Sequence, residues 1–145
     1  MHSDDARWLA PRLREWDRLE GRVLYDSDDH VEGLRQSLRA SYASGVLMVD
    51  GEIIAAGGEG HGMRIGWCCP WFVGTDAISD HPVTIMRYAK FFVAYMKVRY
   101  KGMENWMLPG HQAARDLVEV LGFTFDGSVW SINGNDLDHF VWRAS

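Results

Sequence analysis

The sequence predicts an α+β fold: one domain spanning residues 1–145, with a single mixed, mostly antiparallel sheet. Two observations near the start carry the prediction. Apolar residues recur at helical spacing in two successive segments, and the period then switches to that of strands across "GVLMVDGEIIAAGG", residues 45–58. A third observation is the later order of a long helical pattern, a strand, a short helical pattern and further strands, which returns the chain to the sheet.

Ser3, Asp4 and Asp5 place acceptors and negative charge at a helix start, and Trp8, Leu9, Leu13, Trp16 and Leu19 follow on one face. This first helix is expected to reach about Glu20 and to stop at Gly21. Ser27 to Asp29 cap a second helix, whose Val31, Leu34 and Leu38 share a face despite the weakening Gly33.

Asp50-Gly51 between two apolar runs is a strong hairpin signal. Residues 59–63, "EGHGM", read as a glycine-rich turn, and residues 64–74, "RIGWCCPWFVG", as a long buried strand. Pro70 has no N–H to give a ladder, so that strand must bulge or splay from a neighbour there. Pro82 opens a long helix with Ile85, Met86, Ala89, Phe92, Val93 and Met96 as its stripe, ending near Tyr100. A strand at 103–108, a short helix at 110–122 closed by Gly122, a strand at "FTF" and a last strand at "DHFVWR" complete the order ααβββαβαββ. "SINGNDLD", residues 131–138, reads as a turn-rich connection.

Composition narrows the function. Hydrophobic residues make up 47% and charged residues 24%, enough apolar content for a packed core. The net charge is −5 with no basic run, which argues against nucleic acid as a partner, and 7 Trp, 6 Phe and 5 Tyr then read as core and groove lining. No apolar run approaches membrane-spanning length and the first twenty residues are charged rather than signal-like, so the expectation is a soluble, intracellular protein with no membrane partner. Cys68 and Cys69 are adjacent, lack the second pair of a zinc site and read as small strand residues, one to each side of the sheet. His61 and His139 are too scattered to suggest a metal, and no HExxH, GxSxG or Walker pattern is present.

Residues 70–96, "PWFVGTDAISDHPVTIMRYAKFFVAYM", and 104–125, "ENWMLPGHQAARDLVEVLGFTF", together with "DGEIIAAGG", carry a resemblance. Over roughly residues 10 to 142 the chain resembles the GNAT-like (Gcn5-related N-acetyltransferase) family of short-tailed bacteriophages, whose members are often labelled internal virion protein A. The resemblance implies a sheet with a splayed central strand, helices on both faces, and acetyl-CoA as the cofactor. By the same resemblance Trp71, Phe72 and Val73 line the gap, Gly74, Thr75 and His81 surround the cofactor in the loop before the long helix, and Gln112 adds a contact.

For catalysis the resemblance points to Glu15 or Asp17, late on the first helix, as general base. His111 stands where relatives carry an Asn and is a candidate acid or base. Glu15 and Asp17 read equally as a charged helix face beside Arg12, Arg14 and Arg18, and Asp76 and His81 as caps for the long helix.

The chain departs from the family in two places. "GTDAISDHP" holds one glycine and two carboxylates where a pyrophosphate loop is glycine-rich; like charges about 4 Å apart repel by roughly 4 kcal/mol at an effective dielectric of 20. The position of the usual tyrosine acid is Val118, which has no proton to give. Two functions therefore stand side by side. One is transfer of an acetyl group from acetyl-CoA to an amine such as a protein lysine. The other is a catalytically silent fold used in virion morphogenesis or in binding a host factor, with a phage structural or host protein as partner and the host cytoplasm or the virion as location.

Overall fold

The computed structural model describes all 145 residues. Helices α1 (Ser3–Leu9), α2 (Glu15–Tyr25) and α3 (His30–Arg39) come first, then strands β1 (Ser41–Val49), β2 (Glu52–His61) and β3 (Trp67–Gly74). Helix α4 (Pro82–Lys97), strand β4 (Gly102–Met107), helix α5 (Gln112–Val120) and strands β5 (Thr124–Ile132) and β6 (Asn135–Arg143) follow. The six strands lie in the order β1-β2-β3-β4-β6-β5, parallel at β3–β4 and antiparallel at β1–β2, β4–β6 and β5–β6. The predicted α+β class with a mixed sheet is therefore what the chain adopts.

The chain divides into two compact units: residues 1–61 with 70–82, and residues 62–69 with 83–145. In the first, Ala6, Leu9, Ala10, Leu13 and Leu34 of the helical segment bury against Ala56 of β2, with Val46, Ile53, Trp71 and Val73 packed around them. Complete burial of a leucine such as Leu9 contributes about 1.5–3 kcal/mol relative to leaving it in water. In the second, Val93 and Met96 of α4 pack on Cys68, Met103, Met107, Phe123 and Phe140, and Ala114, Val118 and Leu121 bring in the α5 segment.

The single first helix expected from periodicity is broken. Pro11 lacks the N–H that a helix interior needs, so α1 tightens into a 3₁₀ turn at Ala10–Arg12, and Leu13 then adopts extended backbone at φ −60, ψ 145. Helix α2 restarts at Glu15 and runs through Gly21, the expected stop, to a left-handed Asp26 at φ 50. Helix α3 has the predicted cap: the Asp29 carboxylate accepts the Glu32 N–H at 3.1 Å. Gly33 lets the Tyr25 ring pack close to the helix backbone, since a Cβ there would lie 3.1 Å from that ring.

The Asp50-Gly51 hairpin forms with both residues at positive φ (51 and 82). Strand β2 runs three residues into the expected turn, since Glu59 and Gly60 pair with Ala43 and Ser41. The largest revision is at the C-terminal end. "SINGNDLD" is no loop: Asn133 and Gly134, at φ 50 and 78, make a tight turn, and β5 and β6 flank it directly. His139 accordingly lies within a strand rather than before one.

The ladder between β3 and β4 holds only Trp67↔Gly102 and Cys68↔Met103, whereas β4 pairs with β6 from Gly102↔Arg143 to Met107↔Asp138. The parallel pairing thus ends two residues before Pro70, which has no N–H to extend it.

Candidate functional site

In the first unit the strand end is fixed by Asp17. Because Leu13 and Arg14 are extended before α2 begins, the first turn of the helix carries Asp17 inward, to 7% exposure. Its Oδ2 accepts the Gly74 N–H at 2.9 Å and Arg14 Nε at 2.9 Å, and its Oδ1 accepts Arg14 Nη2 at 3.1 Å. The Gly74 carbonyl in turn accepts the Arg14 N–H at 2.9 Å. Glu15, by contrast, is exposed on the first turn, where its charge favours the helix N-terminus.

The loop after β3 spends its own donors. The Thr75 N–H binds Ile54 O at 2.9 Å, the Ala77 N–H binds Thr75 Oγ1 at 3.2 Å, the Ile78 N–H binds Thr75 O at 3.2 Å and the His81 N–H binds Ile78 O at 3.1 Å. Residues Asp76–Asp80 form a 3₁₀ turn capped by Thr75 rather than by the carboxylate of Asp76. Ile78 closes so tightly over Gly74 that a Cβ there would stand 2.9 Å from its Cγ2. Trp71 and Val73 face the helical core, with Trp71 Nε1 donating to Ser41 Oγ at 2.8 Å, while Phe72 alternates outward. A groove of about 480 Å³ also borders this loop, lined by Thr75, Asp76, Trp8, Arg12 and Glu52 among others. The Arg12 guanidinium lies 4.2 Å over the Trp8 ring there.

In the second unit His111 is the residue before α5, and Gln112 Nε2 donates to Asp116 Oδ1 at 2.7 Å along the helix. Val118 packs into the core. Of the residues expected from sequence, the first unit thus assembles Asp17, Trp71, Phe72, Val73, Gly74, Thr75 and His81 on one strand, its following loop and the facing helix start. His111 and Gln112 are neighbours at the start of α5.

The second unit also holds a polar cluster that sequence reading missed. Glu104 of β4 and His139 of β6 are 3% and 4% exposed. They are diagonal neighbours in the ladder, since Trp106 is the direct partner of His139 and Glu104 lies two residues along. His139 Nδ1 meets Asp126 Oδ2 at 2.8 Å. Its Nε2 faces Glu104 Oε2 at 3.6 Å, and neither of these two buried atoms has a hydrogen-bond partner. Arg64 Nε is 3.4 Å from the same Glu104 oxygen, and the Trp106 ring lies 4.9 Å from the imidazole.

Asp126 reaches His139 because the β5–β6 register slips between Phe125 and Val129, where Gly127 has φ 82. The Ser128 N–H, at 3.0 Å, and then His139 hold the Asp126 carboxyl below its ordinary value against the opposing effect of burial. Cys69 responds oppositely: burial, reinforced by the charge of Glu104, pushes its thiol up to about 12. Cys68 is wholly buried, and neither cysteine is in a disulfide. The available sequence signal for this cluster was a carboxylate inside the buried run "GMENWM", followed by Asp126-Gly127-Ser128 interrupting a strand.

No protein-family model and no curated protein matches the chain. Solved structures do. A ribosomal-protein-alanine N-acetyltransferase from Brucella melitensis superposes with TM-score 0.72 at 12% identity, covering 99% of this chain and 97% of that one. AAC(6')-Ib in complex with ribostamycin and coenzyme A gives 0.70 at 15% identity, over 99% and 90%. An acetyltransferase of the GNAT family from Streptococcus pneumoniae gives 0.60 at 12% identity, over 82% and 77%. The likeness is one of fold, and the fold is that of the GNAT acetyltransferases.

Proposed function

We propose that this chain, with its GNAT fold, is an acetyl-CoA-dependent N-acetyltransferase acting on an amine, and that it is the phage-encoded form that its sequence signature resembles, with a protein lysine among its acceptors. The observation that carries the reading is the early end of the β3–β4 ladder, two residues before Pro70, in a fold matched over 99% of the chain by an N-acetyltransferase. The β3–β4 ladder holds only Trp67↔Gly102 and Cys68↔Met103, and a strand edge that leaves its parallel neighbour so early suits the amide-bearing pantetheine arm.

The fit is to the acyl-pantetheine end of the cofactor. The N–H groups of Gly74, Thr75, Ala77, Ile78 and His81 are committed within their own loop or to its neighbours, and Asp76 and Asp80 add charge of the wrong sign for a pyrophosphate. When bound, acetyl-CoA supplies an activated acyl group whose carbonyl an amine attacks directly. In this reading Trp71, Phe72, Val73, Gly74, Thr75 and His81, with Gln112, are the cofactor residues. Asp17 holds the strand end in place, Glu15 is the exposed candidate base, and His111 is the candidate acid near the helix start.

A second reading, a silent fold serving virion assembly or a host factor, is favoured by those committed N–H groups and by Val118 in place of an acid. One experiment separates the two. Saturating acetyl-CoA, at a hundred times its dissociation constant, adds about 2.7 kcal/mol of stability and raises the unfolding midpoint, and a panel of amines then releases CoA thiol. No shift at millimolar acetyl-CoA, with the chain co-purifying with particles, selects the silent fold.

A further inference from the structure

Helix α4 is apolar on more sides than its own unit covers. Val93 and Met96 bury against the core of the second unit. Phe91 and Tyr95 each stand two residues from Val93, which at about 100° per residue puts them on the far side of the helix. There Tyr88, Phe91, Tyr95 and Val98 are 48%, 68%, 48% and 84% exposed. A helix that is apolar all round belongs in an interior, yet this one has a neighbour on one side only. The spacing of the four residues is three, four, three, the repeat of about 3.5 by which one helix packs along another. Taking about 200 Å² for a whole aromatic side chain, the three rings alone expose roughly 300 Å², already the size of the largest apolar patch on an ordinary monomer.

We propose that α4 is the interface of a two-fold homodimer, in which the seam of Tyr88, Phe91, Tyr95 and Val98 packs antiparallel on the same seam of a second copy. The seam is its own complement when reversed: an axis beside Val93 sets Phe91 level with the partner's Tyr95, and Tyr88 level with the partner's Val98. Two copies set face to face, with Val98 and the flanking residues included, cover about 1,000–1,200 Å², where specific interfaces begin. The composition agrees, since aromatic residues and arginine are enriched at such contacts and carboxylates are depleted. From Pro82 to Met103 the chain carries Arg87, Lys90, Lys97, Arg99 and Lys101 and no carboxylate, and Arg99 lies 4.9 Å over the Tyr95 ring at the end of the seam. Pairing brings these like charges together, so salt tightens the dimer by screening them, whereas an acidic partner on the same face would be loosened by salt. The contact is a helix face rather than a sheet edge, and it stands whether or not the chain transfers acetyl groups, because neither a candidate base nor the loop after β3 takes part.

The test is sedimentation velocity on the full chain. Between roughly 1 and 200 µM the wild type passes from monomer to dimer, with a dissociation constant of about 10 µM, and raising NaCl from about 50 to about 500 mM lowers that constant severalfold. F91E sets a charge in the middle of the seam and weakens the dimer at least tenfold, while its far-ultraviolet dichroism matches wild type because the position is exposed. V98E gives the same loss and covers the case in which F91E does not fold. V120E, at an exposed valine of α5, stays dimeric. A mixture of Y88C and V98C chains cross-links on oxidation faster than either chain alone, as the reversed register requires. A wild type that is monomeric throughout that range overturns the proposal, as does a dimer indifferent to both F91E and V98E. A dimer that loosens as salt rises overturns it too, because its contact would then join opposite charges.

Discussion

Replacing Asp17 by alanine separates the two roles open to it, anchor and base. The carboxylate is 7% exposed and receives three hydrogen bonds, two from Arg14 and one from the Gly74 N–H. Removal leaves a buried N–H unpaired, which costs about 1–3 kcal/mol, and frees Arg14, whose side chain is 22% exposed and whose ion pair is worth about 1 kcal/mol after solvent screening. The expected loss is therefore about 2–4 kcal/mol, or roughly 5–15 °C in unfolding midpoint at 2–4 °C per kcal/mol for a chain of this size. Urea unfolding followed by tryptophan fluorescence and by far-ultraviolet dichroism measures it, with coincident curves licensing a two-state fit. A double-mutant cycle with Arg14→Ala isolates the ion pair from the Gly74 bond. A D17A protein within 0.5 kcal/mol of wild type, but without transferase activity, would refute the anchor argument and restore Asp17 as the base.

The remaining predictions are shorter. Cys69 keeps its proton to about 12 in the folded chain, while an unfolded thiol loses it near 8.5. The unfolded state thus binds fewer protons above that pH, and stability contributed below it is lost as pH rises toward 12; C69A shows a flatter alkaline limb in denaturant unfolding. Folded protein resists thiol reagents at pH 8, and both cysteines label on denaturation. Asp126 has the opposite sign: its depressed carboxyl stabilises above the usual carboxylate range and loses that contribution as pH falls below it, so D126N weakens the acid dependence of unfolding. Gly62→Ala puts a Cβ 2.5 Å from the Trp67 carbonyl oxygen, which as backbone has little room to move, and costs about 1–3 kcal/mol by the same unfolding assay. Acetyl-pantetheine, which lacks the nucleotide phosphates, binds within about tenfold of acetyl-CoA in calorimetry; a much larger gap would mean that the loop after β3 cradles phosphate after all.

Most of the architecture was legible because local rules were obeyed. The Asp50-Gly51 turn, the Asp29 cap and Pro82 at the start of α4 each follow from a side chain acting on its own backbone. Errors arose where a longer-range partner decided. Pro11 breaks the first helix, and the extended Leu13 and Arg14 that follow are held by Thr75 and Gly74, more than fifty residues away. Asn133-Gly134 is as strong a turn signal as Asp50-Gly51, but the polar residues around it masked two strands whose outer faces are exposed. Glu104 and His139 are 35 residues apart and meet only through the β4–β6 register, and Asp126 joins them through a slip that no periodicity reports.

That slip has a consequence for how the molecule avoids its own kind. β5 is the last strand of the sheet, so its outer flank presents unpaired amides and carbonyls that invite another chain to dock. The Asp126-Gly127-Ser128 kink twists this border and sets a carboxylate in the middle of it, so no long flat template is offered.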